Sequence, residues 1–220
     1  MVEIDRCDFP DVEFVELRAW DNERELIGIL ASLGHAVRWQ TQVLEVTQNA
    51  QGIRAVLEGS DGTRTTCEHA YAVGCDGKGS LLRQAITPNF TGADYPVHFV
   101  VGDYRLNWGR PRNQGYYHVY EDTFFIILPV GDDAWRVVVR RDGEPPANRE
   151  VASDEITSIV TAKLGSDPFE GPPTWLSRAP FYMRITDRLR HDRLFIAGDA
   201  AHLFSPIGCT GMNTGMQDAL

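Results

Sequence analysis

The residues best placed to do chemistry lie between Arg193 and the end of the chain. The apolar run Arg193-Leu194-Phe195-Ile196-Ala197 reads as a short buried strand, followed at once by Gly198-Asp199-Ala200-Ala201-His202. Such a strand delivers Asp199 to the carboxyl edge of a sheet, where α/β proteins hold ligands. An ionised carboxylate there accepts short, charge-assisted bonds from sugar-like hydroxyls. Gly198 permits a tight backbone turn, and Ala200-Ala201 leave room for a flat or bulky group. Downstream, Gly208 and Gly211 flank the start of a helix over Met212–Leu220. The free N–H groups and dipole of a helix start favour negative charge. The chemistry implied is that of a cofactor carrying hydroxyls and a delocalised anion.

A second stretch, Gly74-Cys75-Asp76-Gly77-Lys78-Gly79-Ser80-Leu81-Leu82-Arg83, closes the apolar run His69–Val73. An Asp-Gly pair at a strand end is also what any turn can use. Its placement is the more informative feature: it precedes Gly198-Asp199 by about 120 residues, with a β-rich insert between.

These two stretches resemble the flavin-domain motifs of the FAD-dependent aromatic hydroxylases, the group A flavoprotein monooxygenases similar to p-hydroxybenzoate hydroxylase. The family pattern runs Arg, three apolar residues, a small residue, Gly-Asp-Ala-Ala-His, then Pro-x-Gly-Gly-Gln-Gly-Met-Asn. Here Arg193–His202 and Pro206–Asn213 follow it in order and spacing, and Gln217-Asp218-Ala219 continue the match. Cys209 and Thr210 stand where the family has Gly-Gln, and a Cβ at 209 restricts backbone approach.

By this resemblance, Gly198 and Asp199 would bind the ribityl chain of FAD, and Pro206, Gly208, Gly211, Met212 and Asn213 would line the flavin. The backbone around Gly211–Asn213 would stabilise negative charge on the reduced ring. Asp76, Gly77 and Arg83 match the family's Asp-Gly motif, near the FAD pyrophosphate and implicated in NADPH use. The resemblance implies FAD with NADPH (or NADH) as cofactors and hydroxylation by O₂ of a small aromatic, phenolic or polyketide-type substrate. The expected fold class is α/β (α+β), a partial FAD-binding domain with an inserted antiparallel β-sheet substrate domain. Relatives open with a βαβ unit holding Gly-x-Gly-x-x-Gly for the ADP half of FAD. That fingerprint does not occur in this sequence, which therefore reads as an incomplete chain with weakened FAD affinity. Two alternatives stay open: a non-catalytic substrate-binding or interaction protein, and a related flavoprotein epoxidase, halogenase or reductase.

The elements that must position these residues fall into three segments: 1–92 as the partial FAD-binding domain, 93–178 as the substrate sheet, and 179–220 as the return. In the first, Asp21–Leu33 places Leu26, Ile29, Leu30 and Leu33 on one helical face, with Gly34 as terminator. Strand-like runs follow at Ala36–Trp39, Gln42–Thr47, Ile53–Leu57 and Thr63–Glu68. In the second, Val97–Leu106, Tyr116–Glu121, Thr123–Val130 and Ala134–Arg141 are rich in aromatic and β-branched residues. Gly131-Asp132-Asp133 is a hairpin connection, and Ser153 caps a helix through Leu164 with Ile156, Ile159 and Val160 inward. Alternation places Tyr116, His118 and Tyr120 on one strand face and Phe124, Ile126 and Leu128 on one face of the next. Tyr116, His118 and Phe124 are candidates for the substrate pocket, against the alternative of ordinary core. No side chain is assigned as catalytic base.

Composition bounds the rest. Apolar content of 43% and charged content of 24% are ordinary globular values. A formal net charge of −10 argues against nucleic acid and anionic membrane surfaces as partners. Cys7, Cys67, Cys75 and Cys209 are scattered, without metal-ligand spacing, which suits a reduced, cytoplasmic setting. No run approaches the ~18 apolar residues that a membrane span needs.

Overall fold

A computed structural model describes residues 19–143, 150–204 and 211–220. In chain order its elements are α1 (Ala19–Ser32), β1 (Thr41–Gln48), β2 (Ile53–Gly59), β3 (Arg64–His69), β4 (Ala72–Gly74), α2 (Leu81–Ile86), β5 (Phe90–Tyr104), β6 (Tyr116–Val119), β7 (Phe124–Val130), β8 (Ala134–Asp142), α3 (Asp154–Leu164), β9 (Trp175–Thr186), β10 (Arg190–His191), β11 (Leu194–Ile196), a 3₁₀ turn (Gly198–Ala200), β12 (His202–Leu203) and α4 (Gly211–Gln217). The fold is mixed α/β, with mainly antiparallel sheets. The chain divides into two compact units, Met1–Ala36 with Pro96–Pro180, and Val37–Tyr95 with Phe181–Leu220. Among the described residues no helix is long and apolar enough to cross a membrane.

The first unit is built on a twisted antiparallel array in the order β9-β5-β8-β7-β6. Its alternation is strict: Val100, Val137, Val139, Phe125, Ile127 and Tyr116 point to one face and form a buried cluster with Ile156 and Val160 of α3. That is the reason the 156/160 spacing matters, since residues four apart share a helix face. Gly165, at φ 75°, ends α3 as a left-handed cap. Ser153 makes no side-chain cap bond; Glu155 instead accepts from the Ala152 N–H at 3.2 Å.

The second unit holds the antiparallel sheet β1-β2-β3 and the small sheet β10-β11-β4. Ile53, Ala55 and Leu57, the inward set of β2, pack with Leu82 and Ile86 of α2 and with Leu194, Ile196, Ala200 and Ala201. Two expectations change here. Ala36–Trp39 is not a strand: β1 begins only after Gln40, at φ 53°, turns the chain, and β1 pairs with β2 alone. Trp175–Thr186, where the sequence signalled no strand, is twelve residues of β9.

Candidate functional site

The two motifs of the second unit leave adjacent parallel strands. Leu194, Phe195 and Ile196 of β11 register with Ala72, Val73 and Gly74 of β4. The Ala197 N–H donates to the Gly74 carbonyl at 3.0 Å, so both chains emerge from the same sheet edge. Gly74 is required at this point, because a Cβ there would lie 2.6 Å from the Leu82 Cβ.

The first motif is occupied with holding itself together. Asp76 accepts the Leu81 and Leu82 N–H groups at 2.7 and 3.4 Å and the Ser80 hydroxyl. Ser80 in turn accepts the Arg83 N–H at 2.9 Å. Together they satisfy the orphan donors of α2. Arg83, only 7% exposed, donates Nη1 to the Ala200 carbonyl at 2.9 Å and Nη2 to the Lys78 carbonyl at 2.6 Å. Its guanidinium also lies over the Phe90 ring, 3.9 Å from the centroid. Burial lowers its pKa and the nearby Asp76 charge opposes that; an arginine in such a position stays protonated. Arg83 is therefore a rivet between the first motif and the turn of the second. Gly77, at φ 76°, has open space on its Cα side.

The second motif differs. Gly198 sits at φ 61°, and a Cβ on the facing Gly215 of α4 would come within 3.1 Å of the Gly198 Cα. Turn and helix thus meet backbone to backbone. Asp199 is exposed, and its carboxylate has no hydrogen-bond or ion-pair partner among the described residues. Gly211 is half-buried, and Met212 and Asn213 of α4 are exposed. Pro206 and Gly208, together with Cys209 and Thr210, lie outside the described residues.

One contact carried no sequence signal as a site. Asp218 Oδ2 accepts from the Gly198 N–H at 2.7 Å and from His202 Nε2 at 2.6 Å. The motif match ran on to Asp218, but which groups its carboxylate meets depends on how α4 docks. Cys75 lies in the same neighbourhood: burial pushes its thiol up, and Asp76 and Asp218 add to that. It is not a thiolate at neutral pH.

The three substrate-pocket candidates do not share a face. Tyr116 and His118 are 1% and 3% exposed and point to the α3 side. Tyr116 donates its hydroxyl to the Pro111 carbonyl at 2.9 Å, and His118 stacks on Phe125 with centroids 4.6 Å apart. Both belong to the aromatic core of the first unit. Phe124 is on the opposite face, 5.7 Å from Phe99. The sequence reading had each strand's alternation right; the register pairs His118 with Phe125 and not with Phe124.

A family model described as "FAD binding domain" matches residues 6–220. A dialkyldecalin synthase of Streptomyces rugosporus is 35% identical over 204 residues, covering 90% of this chain and 42% of the relative. A 12-dehydrotetracycline 5-monooxygenase/anhydrotetracycline 6-monooxygenase of Streptomyces rimosus is 32% identical over 208 residues, covering 90% and 41%. Among solved structures, an anhydrotetracycline hydroxylase from Streptomyces rimosus superposes with a TM-score of 0.73 at 31% identity, covering 92% of this chain and 41% of that one. The chain thus spans about two fifths of the length of the curated relatives it matches.

Proposed function

The chain belongs to the FAD binding domain family, and on that premise we propose that it carries the ribityl- and flavin-facing part of an NAD(P)H- and O₂-dependent monooxygenase acting on an aromatic, phenolic or polyketide-type substrate. The observation that carries the reading is the pairing of the two motifs on neighbouring parallel strands, riveted by Arg83, with the Asp199 carboxylate exposed and without a partner among the described residues. FAD, when bound, supplies the redox chemistry and the activation of O₂.

The residues present fit such a group. Asp199 offers an exposed carboxyl group without a partner among the described residues, suited to the hydroxyls of a ribityl chain. The close approach of Gly198 and Gly215 keeps side chains out of the turn. The backbone of Gly211–Asn213 is the segment that the family resemblance turns towards the flavin pyrimidine. Asp76 and Arg83 serve by shaping and bracing, since their polar atoms meet α2, Lys78 and Ala200. Pro206 and Gly208 complete the cofactor set by resemblance. In the sheet unit, Phe124 stays a candidate for substrate contact, and Tyr116 and His118 support it from within the core. The relative named a dialkyldecalin synthase, at 35% identity, favours a second reading: the same cofactor fold serving ring formation without net oxidation.

The test is to purify the chain with FAD, record its visible spectrum, then add NADPH or NADH without oxygen. The expected result is yellow protein whose flavin is bleached by reduced nicotinamide and recovers in air. A stoichiometric flavoprotein that neither nucleotide reduces favours the ring-forming reading. Colourless protein at every FAD concentration would overturn both and leave a non-catalytic role.

A further inference from the structure

We propose that Asp218 is a positioning residue that registers the Asp199 turn against helix α4, an inference that rests on the cofactor reading of that turn. Asp199 makes no side-chain hydrogen bond among the described residues, so the backbone of residues 198–200 is the described feature that aims its carboxylate. One oxygen ties the backbone before the turn to the side chain that follows it. Asp218 Oδ2 takes the Gly198 N–H at 2.7 Å, just before Asp199, and His202 Nε2 at 2.6 Å, just after the turn. Within the bracket the Ala201 N–H closes on the Gly198 carbonyl at 2.8 Å. Lengths of this order are those of charge-assisted bonds, in which the carboxylate charge contributes as well as the geometry.

His202 is buried, whereas Asp218 is an exposed residue whose side chain alone is largely covered. The His202 and Asp218 side chains are 8% and 16% exposed, and the His202 ring packs on Phe204 with centroids 4.7 Å apart. The Asp218 N–H bonds to the Thr214 carbonyl at 3.1 Å, so the carboxylate travels with α4. A shift of the helix would therefore move the turn, and Asp199 with it. The Gly198–Gly215 approach fixes the separation of turn and helix, while Asp218 fixes their register.

The experiment uses the full chain and compares wild type, Asp218→Ala, Asp218→Asn and Asp199→Ala. Hydrogen exchange is measured without ligand, and FAD titration follows flavin fluorescence and the shape of the bound flavin's visible band. For Asp218→Ala the expected result is exchange faster by about ten- to a hundredfold across Gly198–His202, with β2 and the sheet unit unchanged. FAD affinity should fall about tenfold, with an altered visible band. Asp218→Asn, which keeps one acceptor oxygen, should lie between the two. Unchanged exchange at Gly198–His202 would overturn the proposal, as would acceleration throughout the second unit or local loosening with FAD affinity intact. If Asp199→Ala binds FAD as wild type does, the cofactor reading of the turn fails; the exchange data still decide whether Asp218 registers it.

Discussion

The two units bury an arginine each, and the two arginines are used differently. In the sheet unit Arg178, 4% exposed, meets Glu155 through both carboxylate oxygens at 2.6 and 2.8 Å and His98 Nε2 at 2.7 Å. Because Arg178 is donor only, His98 Nε2 must accept, and its proton sits on Nδ1, donated to the Gly143 carbonyl at 3.1 Å. Side chain ends on side chain through Nη1 and Nη2, while Arg178 Nε is buried without a hydrogen-bond partner among the described residues. In the second unit Arg83 ends on two backbone carbonyls, and the carboxylate beside its target, Asp199, has no partner among the described residues. The first arrangement stiffens a core. The second braces the turn that presents Asp199, which suits the proposed binding role.

The largest effect that would sharpen this contrast is Arg178→Ala. It strands the Glu155 charge and should cost about 3 kcal/mol, the low end for breaking a buried pair, because Glu155 keeps some contact with water. Chemical denaturation read by hydrogen exchange should show the loss in the sheet unit first. Arg83→Met keeps the packing over Phe90 but removes two bonds to carbonyls, and should cost roughly 2 kcal/mol, with faster exchange confined to residues 76–83 and 198–202. Loss spread evenly over both units in either variant would break the comparison.

Acid should separate the units as well. Burial pushes the Glu155 pKa up, but the Arg178 hydrogen bonds, the Ala152 N–H and the Arg178 and Arg141 charges outweigh it, so the carboxyl is held below its ordinary value. A depressed carboxyl contributes stability that is present above the unfolded pKa of about 4.3 and is lost as pH falls through the folded value. The sheet unit should therefore weaken below about pH 4, and Glu155→Gln should flatten that limb of the stability curve. A pH profile unchanged by Glu155→Gln would contradict it. The smallest effect on stability belongs to Asp199→Ala, within about 0.5 kcal/mol of wild type by thermal unfolding, since no partner is lost.

Much of this was legible in the residues. Ile53, Ala55 and Leu57 alternate as a half-buried strand must; Gly131 turns the β7–β8 hairpin at φ 61°; Ile156 and Val160 share a helix face. The motif around Asp199 was readable because a strand, a glycine turn and a helix start are local in sequence. Tertiary choices were not. The strand β9 carries Arg178 and Arg184 among its apolar residues, so its alternation is masked. Helix α1 spans Ala19–Ser32 where the spacing indicates Asp21–Leu33, yet Leu26, Ile29 and Leu33 are 51%, 56% and 68% exposed, which periodicity cannot foresee. Arg83 reaches a carbonyl 117 positions away, and Asp218 reaches back 20 to Gly198. Backbone acceptors leave no signature in a sequence.

The contrast between an arginine paired to side chains and a carboxylate without a partner among the described residues comes down to Asp199. Equilibrium titration of FAD into wild type and Asp199→Ala, with unfolding free energies measured on the same samples, tests it most directly. The account predicts that the variant binds FAD at least about tenfold more weakly with its stability unchanged. Equal affinity in the two proteins, or a loss of affinity matched by a loss of stability, would contradict it.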